Sequence, residues 1–528
     1  MQPLCIPYAA THRFSPLVLD YLAGGERTRE FHAGPSDLAG LVQAAAQRQF
    51  DPAAREVLVR VLRSQYQGLP AEAAVEQSLR DLARPDAFTV TTGHQLVLFG
   101  GPLYVPFKLL NTIRVARELA AATGRPVVPV FWMATEDHDR AEIDHTFFGD
   151  HKLQWPGHAG GAVGRMALDG ITSALEEAIA HLGEGAHAAE MAALLREHYR
   201  PERTLAEATR RFVHALFGRF GLLVLDADHP ELKRLFAPVV KEELLNQVAE
   251  RSVSYANARL AEHFAVQAHA REINLFHLRP GHRSRIILEW DGFRVLDGGP
   301  TFTLDQLMAE VDTHPERFSP NVLLRPVYQE VVLPNVAYVG GGGELAYWLQ
   351  LRWLFQALQV PMPRLILRTS AGFISTKRLR QWHALDLATE ELFADQSPLM
   401  ARVASARATF SADLAAERQR LSAFYDDLLA KASTADATLR GAVEARRTSA
   451  LKGVDRIERS MVRAAKRQQD TAMARMRSAH AELFPGGGLQ ERRANILPML
   501  AARGVGFLDE LLGNLDPLSP CFSLFEEA

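Results

Sequence analysis

Three short stretches of the chain bring together residue types that can do chemistry. The first is Thr91-Thr92-Gly93-His94-Gln95, followed closely by Gly100-Gly101-Pro102-Leu103-Tyr104. Gly93, Gly100 and Gly101 let a backbone come close to a ligand. His94 and Gln95 add donors, Thr92 adds a hydroxyl, and the amides of a helix starting just beyond favour an anion. The pattern is not a P-loop, since no Gly-Lys-Ser/Thr follows, and it is not the GxGxxG dinucleotide turn. The competing interpretation is a structural turn with His94 satisfied by backbone.

The second stretch is Thr135-Glu136-Asp137-His138-Asp139. Four consecutive ionisable residues can bind an ammonium, a Mg²⁺ ion or sugar hydroxyls. Hard cations take carboxylate oxygens, and a substrate amine needs a base before it becomes nucleophilic. Glu136, Asp137, His138 and Asp139 are therefore the candidate catalytic residues, against the alternative of a solvated acidic loop capping a helix. Asp144 and His145 follow closely, but the spacing of His138 and His145 matches no zinc pattern, and no metal ligands are assigned. The third stretch is Asn335-Val336-Ala337-Tyr338-Val339-Gly340-Gly341-Gly342-Gly343-Glu344. A glycine run between strand and helix offers a second cradle for phosphate or carboxylate, against the alternative of a flexible turn. Tyr338, Gly340, Gly341 and Glu344 are the candidates there. Arg325 and the run Arg279-Pro280-Gly281-His282-Arg283 could bring guanidinium groups to the same mouth, where they would bind carboxylate or phosphate bidentately.

These clusters gain meaning from the elements that must position them. Residues 87–91 form a strand-like run. Residues 106–122 place Leu109, Leu110, Ile113, Ala116 and Leu119 at helical spacing and stop at Gly124-Arg125-Pro126, and residues 127–132 form a second apolar strand. Strand, helix and strand in this order imply a parallel sheet. The first two clusters then lie at the carboxyl ends of strands, where open α/β sheets bind ligands. Residues 221–226 read as a third buried strand and 285–296 as a hairpin around Asp291-Gly292. Strand 335–340, helix 344–358 and strand 364–368 read as a second such unit. Upstream, residues 38–62 read as two helices divided at Asp51-Pro52.

Residues 145–200 are first glycine-rich and then helical over 173–198, which suggests an insertion. From 373 to 483 the strand signal vanishes. Phe410, Leu414, Leu421, Phe424 and Leu428 follow heptad spacing, as do Ala450, Val454, Ile457, Met461 and Ala464. Two antiparallel helices of about 45 residues, each roughly 65 Å long at 1.5 Å per residue, are expected, with the break in 432–441. The fold class is thus α/β: a Rossmann-like parallel-sheet core with inserted connecting segments and a long antiparallel helical coiled-coil arm. The expected divisions are 1–144, 145–220, 221–372, 373–484 and 485–528.

The 528 residues exceed what one core usually holds. A hydrophobic fraction of 47% and a charged fraction of 23% suit a soluble globular protein. Net charge of −3 provides no global field for nucleic acid. The arm is basic between Arg446 and Arg477, which reads as a solvated helix face, with an anionic partner as the alternative. No apolar run approaches the roughly 20 residues of a membrane helix, and the N-terminus shows no signal peptide pattern. The two cysteines, Cys5 and Cys521, lie at opposite ends. Neither a disulfide framework nor a Cys-rich zinc site is expected, and a reducing cytoplasm fits best.

At these clusters the chain resembles the cysteine ligase family of bacillithiol biosynthesis. The resemblance runs through Thr92-Gly93-His94-Gln95 with Gly101-Pro102-Leu103-Tyr104, through Pro129-Val130-Phe131-Trp132-Met133-Ala134-Thr135-Glu136-Asp137-His138-Asp139, and through Asn321-Val322-Leu323-Leu324-Arg325-Pro326. It continues in Ala337-Tyr338-Val339-Gly340-Gly341, Glu344-Leu345-Ala346-Tyr347-Trp348 and Leu483-Phe484-Pro485. It implies a core related to class I aminoacyl-tRNA synthetases, connecting-peptide insertions, and a homodimer formed through the coiled-coil arm. It also implies the last step of the pathway, joining cysteine to glucosaminyl-malate. Amide formation from a carboxylate is uphill at neutral pH, so ATP is the expected co-substrate, with Mg²⁺ as an optional companion. Two readings from other classes stay open: a non-catalytic nucleotide-binding scaffold for the pathway, and a nucleotide-sugar-dependent transferase using the same sheet edge.

Overall fold

A computed structural model describes residues 2–157, 160–408, 410–436 and 438–527. The chain forms two compact units, one made chiefly of Arg13–Gly372 and Gly488–Phe525, the other chiefly of Phe373–Gly487. At the centre of the first is a five-stranded sheet of β1 (Phe88–His94), β2 (Val127–Met133), β3 (Leu223–Asp226), β4 (Asn335–Gly340) and β5 (Arg364–Leu367). The order is β5-β4-β1-β2-β3 and every pairing is parallel. The strands are short and nearly all buried, as strands covered on both faces must be, and β2 and β4 are mostly apolar while β1 buries three threonines.

The crossover from β1 to β2 is helix α1 (Tyr104–Thr123), which ends at Gly124 in the left-handed region that glycine tolerates best. Its Val115, Ala116 and Leu119 pack with Val90, Val336, Val339 and Ile366 from three strands. Upstream, the helices Leu38–Gln47 and Pro52–Gln65 are separated where expected, and the Asp51 side chain accepts the Ala53 N–H.

The insertion after β2 contains a hairpin, His145–Phe148 with His151–Gln154, and the helices Ile171–Ala180 and Ala186–His198. The helix expected over 173–198 is thus two helices. Gly183 (φ 78°) and Gly185 (φ 124°) adopt backbone that a helix cannot use. A second insertion is an antiparallel sheet whose central hairpin, His282–Glu289 with Gly292–Val295, turns at Trp290-Asp291. It is followed by helix α2 (Arg325–Val332), then β4 and α3 (Gly342–Trp348). The helix expected over 344–358 is resolved into α3, a 3₁₀ turn Leu349–Leu351, and Arg352–Ala357.

In the second unit, α4 (Ala415–Ala435) and α5 (Leu439–Gln468) run antiparallel, fastened by Arg418 to Asp455 and Glu458 and by Arg447 to Asp426. The turn falls inside the expected interval. The arm is shorter than expected: the 30 residues of α5 span about 45 Å at 1.5 Å per residue. At Gln469 (φ −105°, ψ 29°) the helical path is interrupted and a separate helix, Asp470–Leu483, begins. No helix among the described residues is long and apolar enough to cross a membrane.

One expectation is overturned. Cys5 and Cys521 are joined in a disulfide, with Cα atoms 5.5 Å apart. They sit on the antiparallel strands Leu4–Pro7 and Cys521–Glu527, where Cys5 faces Ser523 and Pro7 faces Cys521. A sequence separation of 516 residues carries no information about distance once both chain ends enter one sheet. Protein denatured without reductant is expected to show no free thiol by Ellman titration, and two thiols after reduction. Two thiols before reduction would contradict the bond.

Candidate active site

The carboxyl ends of β1, β2 and β4, with the segments that follow them, surround a cavity of about 900 Å³. All three sequence clusters reach it. The first contributes Gly93, His94 and Gln95, the second Glu136, Asp137, His138 and Asp139, the third Tyr338, Gly341 and Glu344, and Arg325 joins from the start of α2. The chain runs outward from β1 through β2 to β3, then returns to place β4 on the other side of β1. The cavity therefore opens at the point where strand order reverses, the usual ligand crevice of such sheets.

Thr92, Gly101 and Gly340 do not line the cavity and act on the frame instead. The Thr92 hydroxyl donates to the Val339 carbonyl at 2.7 Å and stitches β1 to β4. Gly101 has φ +63°, and a Cβ there would meet the Val97 side chain at 2.2 Å. A Cβ on Gly340 would come within 3.2 Å of Tyr338, Leu345 and Glu344.

Beneath the cavity a lysine that sequence reasoning missed ties the first and third clusters together. Lys108 of α1, only 1% exposed, donates to the Gly93 carbonyl at 2.6 Å and to Glu344 Oε2 at 2.7 Å. Glu344 also accepts from the Tyr338 hydroxyl (2.6 Å) and the Gly341 N–H (2.8 Å). Burial pushes the Glu344 carboxyl up, but Lys108, the Gly341 amide and the Tyr338 hydroxyl outweigh it and hold it down at about 2. The available signal was a lysine between Phe107 and Leu109, on a helix otherwise apolar at that point.

The acidic loop forms the opposite wall. Glu136 is buried and paired with Lys233, whose Nζ also donates to the Phe318 carbonyl at 2.5 Å. Burial pushes the Glu136 carboxyl up and Lys233 opposes the shift. Asp137 accepts the His138 N–H at 2.7 Å and the Gln95 side-chain amide, with Arg283 3.5 Å away. Burial would raise its pKa, but His138, Arg283 and Gln95 outweigh burial and hold it well below the usual carboxylate range. Arg283 also donates to His138 Nδ1 at 2.8 Å. Glu142, a lining residue that the sequence reading passed over, behaves oppositely: partial desolvation and the charges of Asp139 and Asp137 push it up.

Of the arginines proposed to converge, Arg283 and Arg325 do so. Arg279 instead donates to the carbonyls of Leu296, Asp297 and Gly298. Arg368 and Arg492 line the cavity without having been foreseen. Arg368 is held bidentately by the buried Glu491 at 2.7 and 2.9 Å.

The His94 Nε2 lies 3.2 Å from the Tyr104 hydroxyl. Burial, aided by the charges of Lys108 and Arg368, pushes its pKa down to about 3, so the imidazole is neutral. An unfolded His titrates near 6.5, so the folded state binds fewer protons between these values and the contribution of His94 to stability is lost as pH falls from about 6.5 toward 3. The stability difference between wild type and His94→Gln is therefore expected to shift against the wild type as denaturation is repeated from pH 7 down to pH 5. A difference constant over that range would remove this account of His94.

The donor set does not fit a Mg²⁺ held by protein alone. Glu136 is committed to Lys233, and among the described residues no group of three His, Cys, Asp or Glu side chains converges as a metal cage.

Residues 1–369 match the family model described as the bacillithiol biosynthesis BshC N-terminal Rossmann-like domain, and residues 371–527 match the BshC C-terminal coiled-coil domain. The chain belongs to the BshC family. The fold class and family expected from the sequence are those found. Similar proteins include those of Flavobacterium johnsoniae (36% identity, covering 98% of this chain and 99% of the relative) and Cytophaga hutchinsonii (35%, 96% and 95%). A third is that of Salinibacter ruber (33%, 96% and 95%). Each of the three bears the name "Putative cysteine ligase BshC".

Proposed function

We propose that this BshC-family chain is a ligase that forms an amide between the carboxylate of cysteine and the amine of glucosaminyl-malate, with ATP as co-substrate, as the last step of bacillithiol biosynthesis. The observation that carries this reading is the polarity of one cavity. Beside Gly93 and Gly341 the cations Arg325 and Arg368 accompany Glu344, whereas at the end of β2 the acids Glu136, Asp137, Asp139 and Glu142 accompany Arg283, and Arg492 also lines the cavity. Such a cavity suits substrates that carry both an anionic group and an amine.

ATP, when bound, supplies the activation that makes the cysteine carboxylate an acyl donor. The Gly93–Gln95 turn and Gly341–Gly343 are the segments that would hold it: they line the cavity, and no Cβ narrows it at the glycines. Asp137, held ionised, keeps a substrate ammonium in place. Its low pKa makes it a poor proton acceptor. Glu142, pushed up, is the better one, and it takes the proton that the attacking amine must lose. Neutral His94, with Tyr104, offers a hydrogen bond without adding charge. Electrostatic positioning in a partly dry cavity supplies much of the rate.

Dimerisation through the arm is part of the same reading. Its support is the exposure of Phe424 (56%) and Ile457 (57%) on helices whose apolar spacing is that of a coiled coil.

The test is purified protein with ATP, Mg²⁺, cysteine and glucosaminyl-malate. Amide product is expected together with cysteine-dependent release of pyrophosphate or ADP. Absence of both would sink the ligase reading, and tight nucleotide binding without turnover would favour a scaffold.

A further inference from the structure

We infer that Arg325 is the anion anchor of the cavity, its guanidinium taking a carboxylate or phosphate oxygen pair of a bound substrate at the seam between β1 and β4. The other cations of the cavity wall, and the lysine beneath it, are either paired with an acid or exposed to solvent. Lys108 is paired with Glu344, Arg368 with Glu491, and Arg283 with Asp137, while Arg492 is exposed to solvent. Arg325 differs. Among the described residues no carboxylate oxygen lies within 4.0 Å of its guanidinium. Its contacts are neutral: Gln329 Oε1 at 3.1 Å and the Tyr347 hydroxyl at 3.5 Å. Of five N–H donors in a rigid fork, these occupy two.

The surroundings hold this group in place. Nη1 lies 3.3 Å from the position a Cβ on Gly93 would take, and the guanidinium carbon is 5.7 Å from the centre of the Tyr338 ring. Glycine at 93 therefore leaves the room that Arg325 fills, at the carboxyl ends of the two strands between which strand order reverses. Glu344, the nearest acid to influence it, is neutralised by Lys108 and does not serve as its counter-ion. A cation removed from bulk water and left without a counter-charge is costly, and a ligand oxyanion removes that cost. An acidic wall at the end of β2 sets the direction: the ligand lies with its anionic group on Arg325 and its amine toward Asp137. The assignment rests on the ligase reading for the identity of the probes, not for the presence of an anion.

The experiment measures calorimetric affinities of the full-length protein, Arg325→Gln and Arg325→Lys for ATP, L-cysteine and glucosaminyl-malate. Cysteamine and methyl glucosaminide serve as probes without the carboxylates. Loss of a charge-assisted hydrogen-bond pair is expected to weaken one anionic probe roughly 10- to 100-fold in Arg325→Gln. Arg325→Lys, which keeps the charge but loses the fork, should fall between. Whichever probe loses affinity identifies the source of the oxyanion, and its counterpart without the anionic group (cysteamine, methyl glucosaminide or, for ATP, adenosine) should bind the variant and the wild type within about twofold. If Arg325→Gln fails to fold, the lysine variant carries the test alone with a severalfold loss. Equal affinity of wild type and a folded variant for all three anionic probes would overturn the anchor, as would failure of all three to bind the wild type. Absence of ligation in the wild type, with anion affinity still lost on substitution, would overturn the ligase reading and leave the anchor standing.

Discussion

Lys108→Met is expected to destabilise the sheet unit by roughly 3 kcal/mol, the low end for a broken buried pair, because Lys108 is buried while the carboxylate it leaves without a counter-charge is 28% exposed to the cavity. Against a typical total of about 5–15 kcal/mol, that loss is large. The lysine holds two acceptors that belong to different clusters, the Gly93 carbonyl and the Glu344 carboxylate. Without it Glu344 keeps the Tyr338 hydroxyl and the Gly341 amide but no cation. The pH dependence follows from Glu344, which is held down at about 2 in the fold. Its unfolded pKa is near 4.3. The stabilisation is thus fully present above that value and lost as pH falls toward 2, so the gap between wild type and variant should narrow in acid. A double variant, Lys108→Met with Glu344→Leu, removes both charges and should recover much of the stability. Urea denaturation of the three proteins checks this. A single variant within 1 kcal/mol of wild type would show that the pair is not a buried one.

The contrast between what could and could not be read along the chain has a physical origin. The strand–helix–strand run from β1 through α1 to β2 was legible because its signals are local: apolar periodicity and a stop at Gly124. The polar clusters were legible because ionisable and glycine residues at strand ends are poor core material. Their partners were not, because those lie far off in sequence. Glu344 is 236 residues from Lys108, Glu491 is 123 from Arg368, and Glu136 is 97 from Lys233. Nothing in local spacing separates a carboxylate that faces a ligand from one that faces a buried lysine, so Glu136 and Asp137 looked equivalent. Glycines are similarly mute. Gly101 is required by its backbone angle, Gly340 by its crowded neighbours, and Gly343 has open space around it. The disulfide and the arm length were missed for related reasons. One depends on both chain ends meeting in a sheet, the other on helices that stop at Arg407 and Gln468 and start anew at Ala415 and Asp470.

Glu142→Gln is expected to lower kcat by about 10²- to 10⁴-fold, the usual worth of a positioned general base. The acids of the wall differ in what surrounds them. Asp137 receives hydrogen bonds from His138 and Gln95 and the charge of Arg283, which keep it ionised but weakly basic. Glu136 is committed to Lys233. Glu142 is exposed, yet partial desolvation and the like charges of Asp139 and Asp137 outweigh the Gln95 hydrogen bond, so its proton affinity is raised. Approach of an ammonium relieves that repulsion, and departure of the proton from the amine restores a neutral acid beside two carboxylates, which the same repulsion favours. The kinetic signatures should therefore separate. Asp137→Asn should act on kcat/KM for the amine substrate, by roughly 10- to 100-fold for the loss of a charged hydrogen bond. Glu142→Gln should act on kcat. In the wild type, activity should fall as pH drops through the raised pKa of Glu142, since the base is then protonated, and the glutamine variant should lack that acidic limb. A pH–rate profile whose acidic limb survives in Glu142→Gln would assign the proton transfer to another group.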